Sequence, residues 1–246
     1  MTLSYHEEIL GVLRKLANPK RGEAIRRDRG SELEYLGIRT PALRRAVKEG
    51  FSFYDLPEEK VLEIWNELWM RSPYGEVLFA ALEYYGPRVR KRVGPELWPV
   101  MKGWSRRIEN WAHADFLSGI YSRILEKYPH KVYPQLVRWN KAKTLWLRRL
   151  SLVSLIHYTG KNAVFLEPDR VLPLVLNCLT DDRYHVQKAV GWVLREMGHV
   201  YPEEIRAFLT DHVMSVSSIA FTRAIERRSP AERDELRQMR KKELSS

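Results

Sequence analysis

One cysteine, Cys178, stands in a chain of 246 residues, so no internal disulfide can form and no multi-cysteine zinc site can be built. A core position is the simplest role for that thiol, and a reducing cytoplasm suits a chain with so little cysteine. Long apolar runs are missing too. No stretch approaches the roughly 18 residues that a membrane span needs, and the first residues lack the basic region and apolar run of an export signal. Membrane and secreted classes are therefore not expected. Alternating apolar and polar residues are scarce, which argues against sheet. The seven histidines show no ligand spacing with carboxylates or with the cysteine, so neither a metal nor another cofactor is expected.

What is present is helical periodicity from end to end, and the chain reads as all-α. Helices are expected over residues 5–17, 41–49, 58–70, 75–85, 95–102, 110–127, 134–140, 144–158, 171–178, 183–197, 202–209 and 217–227. Proline, glycine and short polar clusters punctuate them, as in Tyr85-Gly-Pro, Tyr128-Pro-His and Gly160-Lys-Asn. Connections this short mark no domain boundary, so one domain is expected over residues 1–230. The charged tail, 231–246, reads as a surface helix fraying into disorder. Trp111, Trp146 and Gln187 each stand near the start of a long helix, spaced by 35 and 41 residues. That approaches the period of about 40–47 residues of HEAT-like helical pairs. Stacked pairs would make a curved solenoid with one concave face; an irregular bundle satisfies the same periodicity.

Lysine and arginine number 42 against 31 acidic residues, a net charge of +11. Such an excess favours a polyanionic partner, because each cation set against a phosphate releases condensed counterions. A generically basic soluble protein would carry the same total. The cations cluster at Arg39, Arg44, Arg45 and Lys48, at Arg88, Arg90, Lys91 and Arg92, at Arg106 and Arg107, and at Lys141, Lys143 and Arg148. Aligned along a concave face, these clusters would form a track for a phosphate backbone. Eight tryptophans suit stacking on bases, but they suit a core equally well.

Three helices carry residues aimed away from their own apolar stripes. In the helix 183–197 the stripe is Val186, Ala189, Val190, Val193 and Leu194, and Trp192 falls about 130° from its centre, on the side of His185 and Lys188. In the helix 110–127, Trp111 and Asp115 are neighbours one turn apart. Both point roughly 120–160° from the core direction, accompanied by Ser118 and Ser122. Tryptophan packed on an adjacent repeat and a carboxylate near a helix start would also explain the pair. In the helix 144–158, Arg149 shares a face with Leu145, Leu152 and Ile156. It therefore needs a carboxylate, Asp115 among them, or a phosphate.

With these residues in view, the chain resembles the AlkD-like DNA alkylation repair family of HEAT-like DNA glycosylases. The match rests on Tyr35-Leu-Gly-Ile-Arg-Thr-Pro41, Asn110-Trp-Ala-His-Ala-Asp115, Trp146-Leu-Arg-Arg149 and Gln187-Lys-Ala-Val-Gly-Trp-Val-Leu-Arg-Glu196. The resemblance implies a HEAT-like solenoid whose concave, basic groove grips duplex DNA containing alkylated purines. It implies hydrolysis of the N-glycosidic bond of cationic N3- or N7-alkylated purines. A monomer in the cytoplasm, on the nucleoid when bound to DNA, is expected. Carried over by position, Trp111 and Trp192 look like the family's aromatic cleft residues, Asp115 like its catalytic carboxylate and Arg149 like its cleft arginine. Arg39, Arg44, Arg45, Lys48, Arg106, Arg107, Arg148 and Lys188 would then meet DNA. Arg39 stands where glutamine is expected in the best-known relatives. A relative that binds distorted DNA without catalysis, and a protein-interaction scaffold, are the competing readings.

Overall fold

The computed structural model describes residues 2–156 and 166–244. Its elements are α1 Thr2–Arg14, α2 Pro19–Arg29, α3 Thr40–Glu49, α4 Glu58–Arg71, α5 Gly75–Lys91, α6 Leu97–Met101 and α7 Trp111–Lys127. There follow α8 Pro129–Asn140, α9 Leu145–Val153, α10 Pro168–Leu176, α11 Tyr184–Met197, α12 Pro202–Asp211, α13 Ser218–Ile225 and α14 Pro230–Leu244. Among the described residues extended pairing is confined to one bridge, Glu34 with Tyr74, so the chain is all-α as expected. No helix among them is long and apolar enough to cross a membrane. The chain divides into two compact units, residues 1–120 and 121–246, and the division falls inside α7.

In the first unit α4 packs on α1, α5 and α6, and α3 on α5. Its core is aromatic. Trp65, Trp69 and Trp104 are fully buried, and the Trp69 and Trp104 rings stack 4.6 Å apart. Trp69 Nε1 donates to the Trp104 carbonyl at 3.0 Å, so the polar edge of one ring is satisfied by the backbone of the other. α3 shows why its helix forms as read. Leu43, Ala46 and Val47 bury one stripe while Arg44, Arg45 and Lys48 face outward.

Two departures from expectation have local causes. Helix α2 was not expected, because its sequence has no apolar stripe and only Gly22 is buried. Its ends specify it instead. Asn18 accepts from Arg21 N at 3.0 Å, Pro19 sits in the first turn, and Gly30 closes the helix at φ 55°. Helix α5 runs through the expected stop at Tyr85-Gly-Pro to Lys91. Pro87 removes one N–H from the ladder, and the burial of residues 80–86 holds the helix across that gap.

In the second unit α11 is the central helix, packed on α9, α10, α12 and α13. Gly191 makes the closest of these approaches possible. A Cβ there would lie 2.4 Å from the Ala220 carbonyl oxygen of α13. The expected helix 144–158 ends earlier, at Val153, and its last expected residue, Tyr158, lies outside the described residues, as does Gly160-Lys-Asn. Cys178 is buried as expected, with Asn140 Nδ2 donating to its sulfur at 3.3 Å, and burial pushes the thiol up from its ordinary value. Of the expected charged tail, residues 230–244 form helix α14, anchored by buried Leu236. Arg240 donates to the carbonyls of Val213 and Val216 at 3.1 and 2.7 Å.

Candidate active site and nucleic-acid interface

The eight tryptophans divide sharply by burial. Trp65, Trp69, Trp98, Trp104 and Trp139 are core, whereas Trp111 is 39% exposed and Trp146 and Trp192 are half-buried. The three outside the core stand in α7, α9 and α11, the helices singled out by their off-stripe residues. That division separates candidate ligand contacts from packing where the count alone did not.

Trp111 opens α7, and the turn beneath it is tightly fixed. Asn110 is buried and acts as the cap, its Oδ1 accepting from the N–H groups of Ala112 and His113, both at 3.1 Å. Its Nδ2 donates to His113 Nδ1 at 2.9 Å and to the Tyr35 hydroxyl at 3.2 Å. His113 Nε2 lies 3.1 Å from the Gly75 carbonyl, which can only accept, so Nε2 carries the proton and Nδ1 receives the Asn110 bond. Burial, with Arg29 and Arg107 adding repulsion, lowers the His113 pKa to about 3, so the imidazole is neutral. The rings of Tyr35 and Phe79 close over it at 6.4 and 4.3 Å.

Asp115 follows Trp111 by one turn and is half-buried, so the structure places an aromatic face and a carboxylate on one stretch of α7. The stretch is shorter than expected. Ser118 is fully buried and does not extend the accessible face, because α7 is enclosed on nearly every side beyond its second turn.

The Tyr35 motif is an anchor for this helix. The buried carboxylate of Glu76 accepts from the N–H groups of Leu36, Gly37 and Ile38 at 3.0, 2.8 and 3.3 Å. Glu109 accepts from the Ser31 hydroxyl and from the N–H groups of Glu32 and Leu33 at 3.2 and 3.3 Å. Gly37 adopts φ 77° with the Asn18 carbonyl where a Cβ would lie, so no other residue fits without displacing backbone. The loop 31–38 is thereby pinned at both ends, and Tyr35 is delivered to Asn110 and His113.

In the second unit Arg149 is 4% exposed, and its Nη1 donates to the His185 carbonyl of α11 at 2.6 Å. The arginine of α9 thus reaches the helix that carries Trp192. Trp192 lies with the Arg195 guanidinium 5.9 Å from its ring, and Lys188 Nζ stands 5.1 Å from the ring of Tyr184. Trp146 packs against the His185 ring at 5.1 Å. Gln187, part of the most specific motif, is buried. Its Nε2 donates to the carbonyls of Cys178 and Asp181, and its Oε1 accepts from Ser217 Oγ at 2.7 Å, a structural clamp on α13.

The expected phosphate track divides into exposed and committed cations. Arg39, Arg45, Lys48 and Arg106 are exposed. Arg44 is exposed but forms two bonds of 2.9 Å with the buried carboxylate of Glu83. Arg107 and Arg148, also expected to meet DNA, are half-buried and already bonded within the protein. Arg107 donates to the carbonyls of Met70 and Ser72. Arg148 donates to Asp181 at 2.7 Å and to the carbonyls of Asn140 and Asn177 at 2.8 and 3.0 Å. Their guanidinium edges are taken up in joining chain segments, a use that charge clustering in sequence does not reveal. No group of three or more metal-ligating side chains occurs among the described residues.

Comparison with known proteins adds the family. No curated protein matches the chain. Among solved structures, a predicted DNA alkylation repair enzyme from Enterococcus faecalis superposes with a TM-score of 0.71 at 15% identity, over 87% of this chain and 97% of that one. AlkD2 from Streptococcus mutans gives 0.56 at 16% identity, over 76% and 89% of the two chains. The smu.31 protein from Streptococcus mutans UA159 gives 0.53 at 16%, over 82% and 91%. At these identities the likeness establishes a shared helical-repeat fold. The family model for DNA alkylation repair enzymes matches residues 9–227, nearly the whole chain. The chain belongs to the DNA alkylation repair enzyme family.

Proposed function

We propose that the protein is a monofunctional DNA glycosylase that hydrolyses the N-glycosidic bond of cationic N3- or N7-alkylated purines in duplex DNA. The observation that carries this reading is the pairing of exposed Trp111 with Asp115 one turn later, on a helix start fixed by buried hydrogen bonds. Trp111 is 39% exposed and stands one turn from a half-buried carboxylate, which supports a ligand-facing role for the pair. Rigidity does serve a catalyst, because a carboxylate that stabilises a transition state must be positioned before the charge develops.

The chemistry asks little of an enzyme acid. An N3- or N7-alkyl purine already bears positive charge, and breaking the C1′–N bond returns the electron pair to the base and neutralises it. What remains is an oxocarbenium-like sugar and a water to attack it. Ionised Asp115 stabilises the first electrostatically and accepts a hydrogen bond, then a proton, from the second. Trp111 and Trp192 present electron-rich faces, each worth about 0.5–2 kcal/mol toward a nearby cation. Arg149 is assigned to a phosphate beside the lesion. Arg39, Arg45, Lys48, Arg106 and Lys188 are assigned to the phosphate backbone, where Coulomb attraction needs no base contact.

Incubating duplex DNA that contains N7-methylguanine with the wild type and with Asp115→Asn, and measuring free base, tests the reading. Base release by the wild type is expected, lowered about 100-fold or more in Asp115→Asn with duplex binding retained. Salt-sensitive binding without release by either protein would leave a DNA-binding relative without catalysis. No affinity for duplex at low salt would leave a protein-interaction scaffold.

A further inference from the structure

Arg29 ends α2 with its guanidinium carbon 4.9 Å from the ring centres of both Tyr35 and Phe79. It is partly buried, and among the described residues no carboxylate, carbonyl or hydroxyl accepts from it. The other two partly buried arginines of this unit behave as burial requires. Arg21 donates to the Gly37 carbonyl at 3.3 Å, and Arg107 to the carbonyls of Met70 and Ser72. Arg29 alone of the three makes no hydrogen bond to a described residue, and none of its guanidinium nitrogens is sealed from solvent, so its donors stay open to an incoming anion.

Its surroundings say what would complete it. Two aromatic rings stand within cation–π distance of the delocalised charge, and ring faces do not satisfy the in-plane N–H groups of a guanidinium as an oxygen acceptor would. A planar fork held this way suits a bidentate oxyanion, and phosphate is the common partner of that geometry. The position matters as well. Tyr35 and Phe79 also enclose His113, and the Arg29 charge contributes to lowering the His113 pKa, so the cation lies against the first turn of α7. That turn presents Trp111 and Asp115. The neutral imidazole between them leaves the positive charge of Arg29 intact.

We infer that Arg29 binds a phosphodiester of the DNA strand beside the position served by Trp111 and Asp115. The inference rests on DNA being the substrate. Tyr35, the first residue of the Tyr35–Pro41 motif, thereby acquires a second role, because it orients the arginine as well as supporting Asn110.

The test compares Arg29→Met, which keeps the length and the ring contacts without the charge, with Arg29→Lys, which keeps the charge without the fork. Thermal melting establishes that both fold. Binding to an undamaged fluorescent duplex is then measured across a salt series. Arg29→Met is expected to bind about tenfold more weakly at low salt and to flatten the slope of log K against log salt by about 0.9, one phosphate contact. Arg29→Lys is expected to keep the wild-type slope with intermediate affinity. Wild-type affinity and slope in Arg29→Met would overturn the inference and leave the cation as a lid on the aromatic cluster. Should the wild type itself fail to bind duplex, the DNA reading falls, and the anion site is judged separately by titrating sodium phosphate. A rise in melting temperature for the wild type but not for Arg29→Met would then support a phosphate site, and equal responses would overturn it.

Discussion

The helices that carry the candidate aromatic residues are held by opposite electrostatic means. The first turn of α7 rests on neutral groups: an asparagine amide, a tyrosine hydroxyl, an uncharged imidazole and a glycine carbonyl. The first turn of α11 rests on ions. Arg183, which precedes it, and Arg148 of α9 both grip Asp181, and these bonds, Arg183 first, hold its carboxyl down to about 2. A neutral support is vulnerable to protonation. An ionic one is vulnerable to losing a partner.

Removing the partner should give the largest effect. The Asp181 side chain is 2% exposed between two arginines that retain 18% and 32%, so Asp181→Asn leaves both cations less compensated. The expected cost is about 3 kcal/mol, the lower end for a broken buried pair because the arginines keep some water. Urea unfolding of the two proteins at pH 7 measures it. A cost below about 1 kcal/mol would make the cluster an ordinary surface bridge and erase the contrast.

Protonation should come next. The His113 pKa is lowered in the folded protein from 6.5 to about 3, so on acidification the unfolded chain takes up a proton that the folded one refuses. Stability therefore falls as the pH drops from about 6.5 toward 3. Between pH 7 and pH 5 this group alone should remove about 2 kcal/mol, and His113→Gln should lack that part of the loss. Asp181 acts in a different window. Its stabilisation is present above the ordinary carboxylate value of 3.8 and is lost only as the pH falls through about 2. Unfolding curves of wild type and His113→Gln at the two pH values decide the matter, and parallel losses would mean that the imidazole is solvated or charged in the native state.

The same contrast explains what could be read from sequence. That Trp111, Asp115 and Trp192 lie off the apolar stripes of their helices was legible on a helical wheel, and none of the three is buried. The carbonyl bonds of Arg107 and Arg148 were not legible, because a charged side chain that reaches back to carbonyls looks the same in sequence as one that faces solvent. Glu76 and Glu109 were passed over for a related reason. Each organises a loop some 40 or 75 residues away, and nothing local distinguishes such a carboxylate from a solvated one. Asn18 and Gly30, which bound the unexpected α2, did carry a local signal in their capping chemistry. A search led by apolar periodicity discards it.

The smallest effect tests the outer edge of α11. Lys188 stands over the ring of Tyr184, which is 53% exposed, and exposed cation–π contacts contribute about 0.5–1 kcal/mol. Lys188→Met should therefore lower stability by about 0.5 kcal/mol, far less than the loss of Asp181, because water stands ready to take over the ammonium. Its effect on DNA should be larger in proportion. If Lys188 meets a phosphate, the salt slope of duplex binding becomes shallower by about 0.9, whatever the base sequence. Stability and slope separate the two uses of the charge: a fall in stability with an unchanged slope ties the lysine to the tyrosine alone, and a shallower slope with unchanged stability ties it to the phosphate.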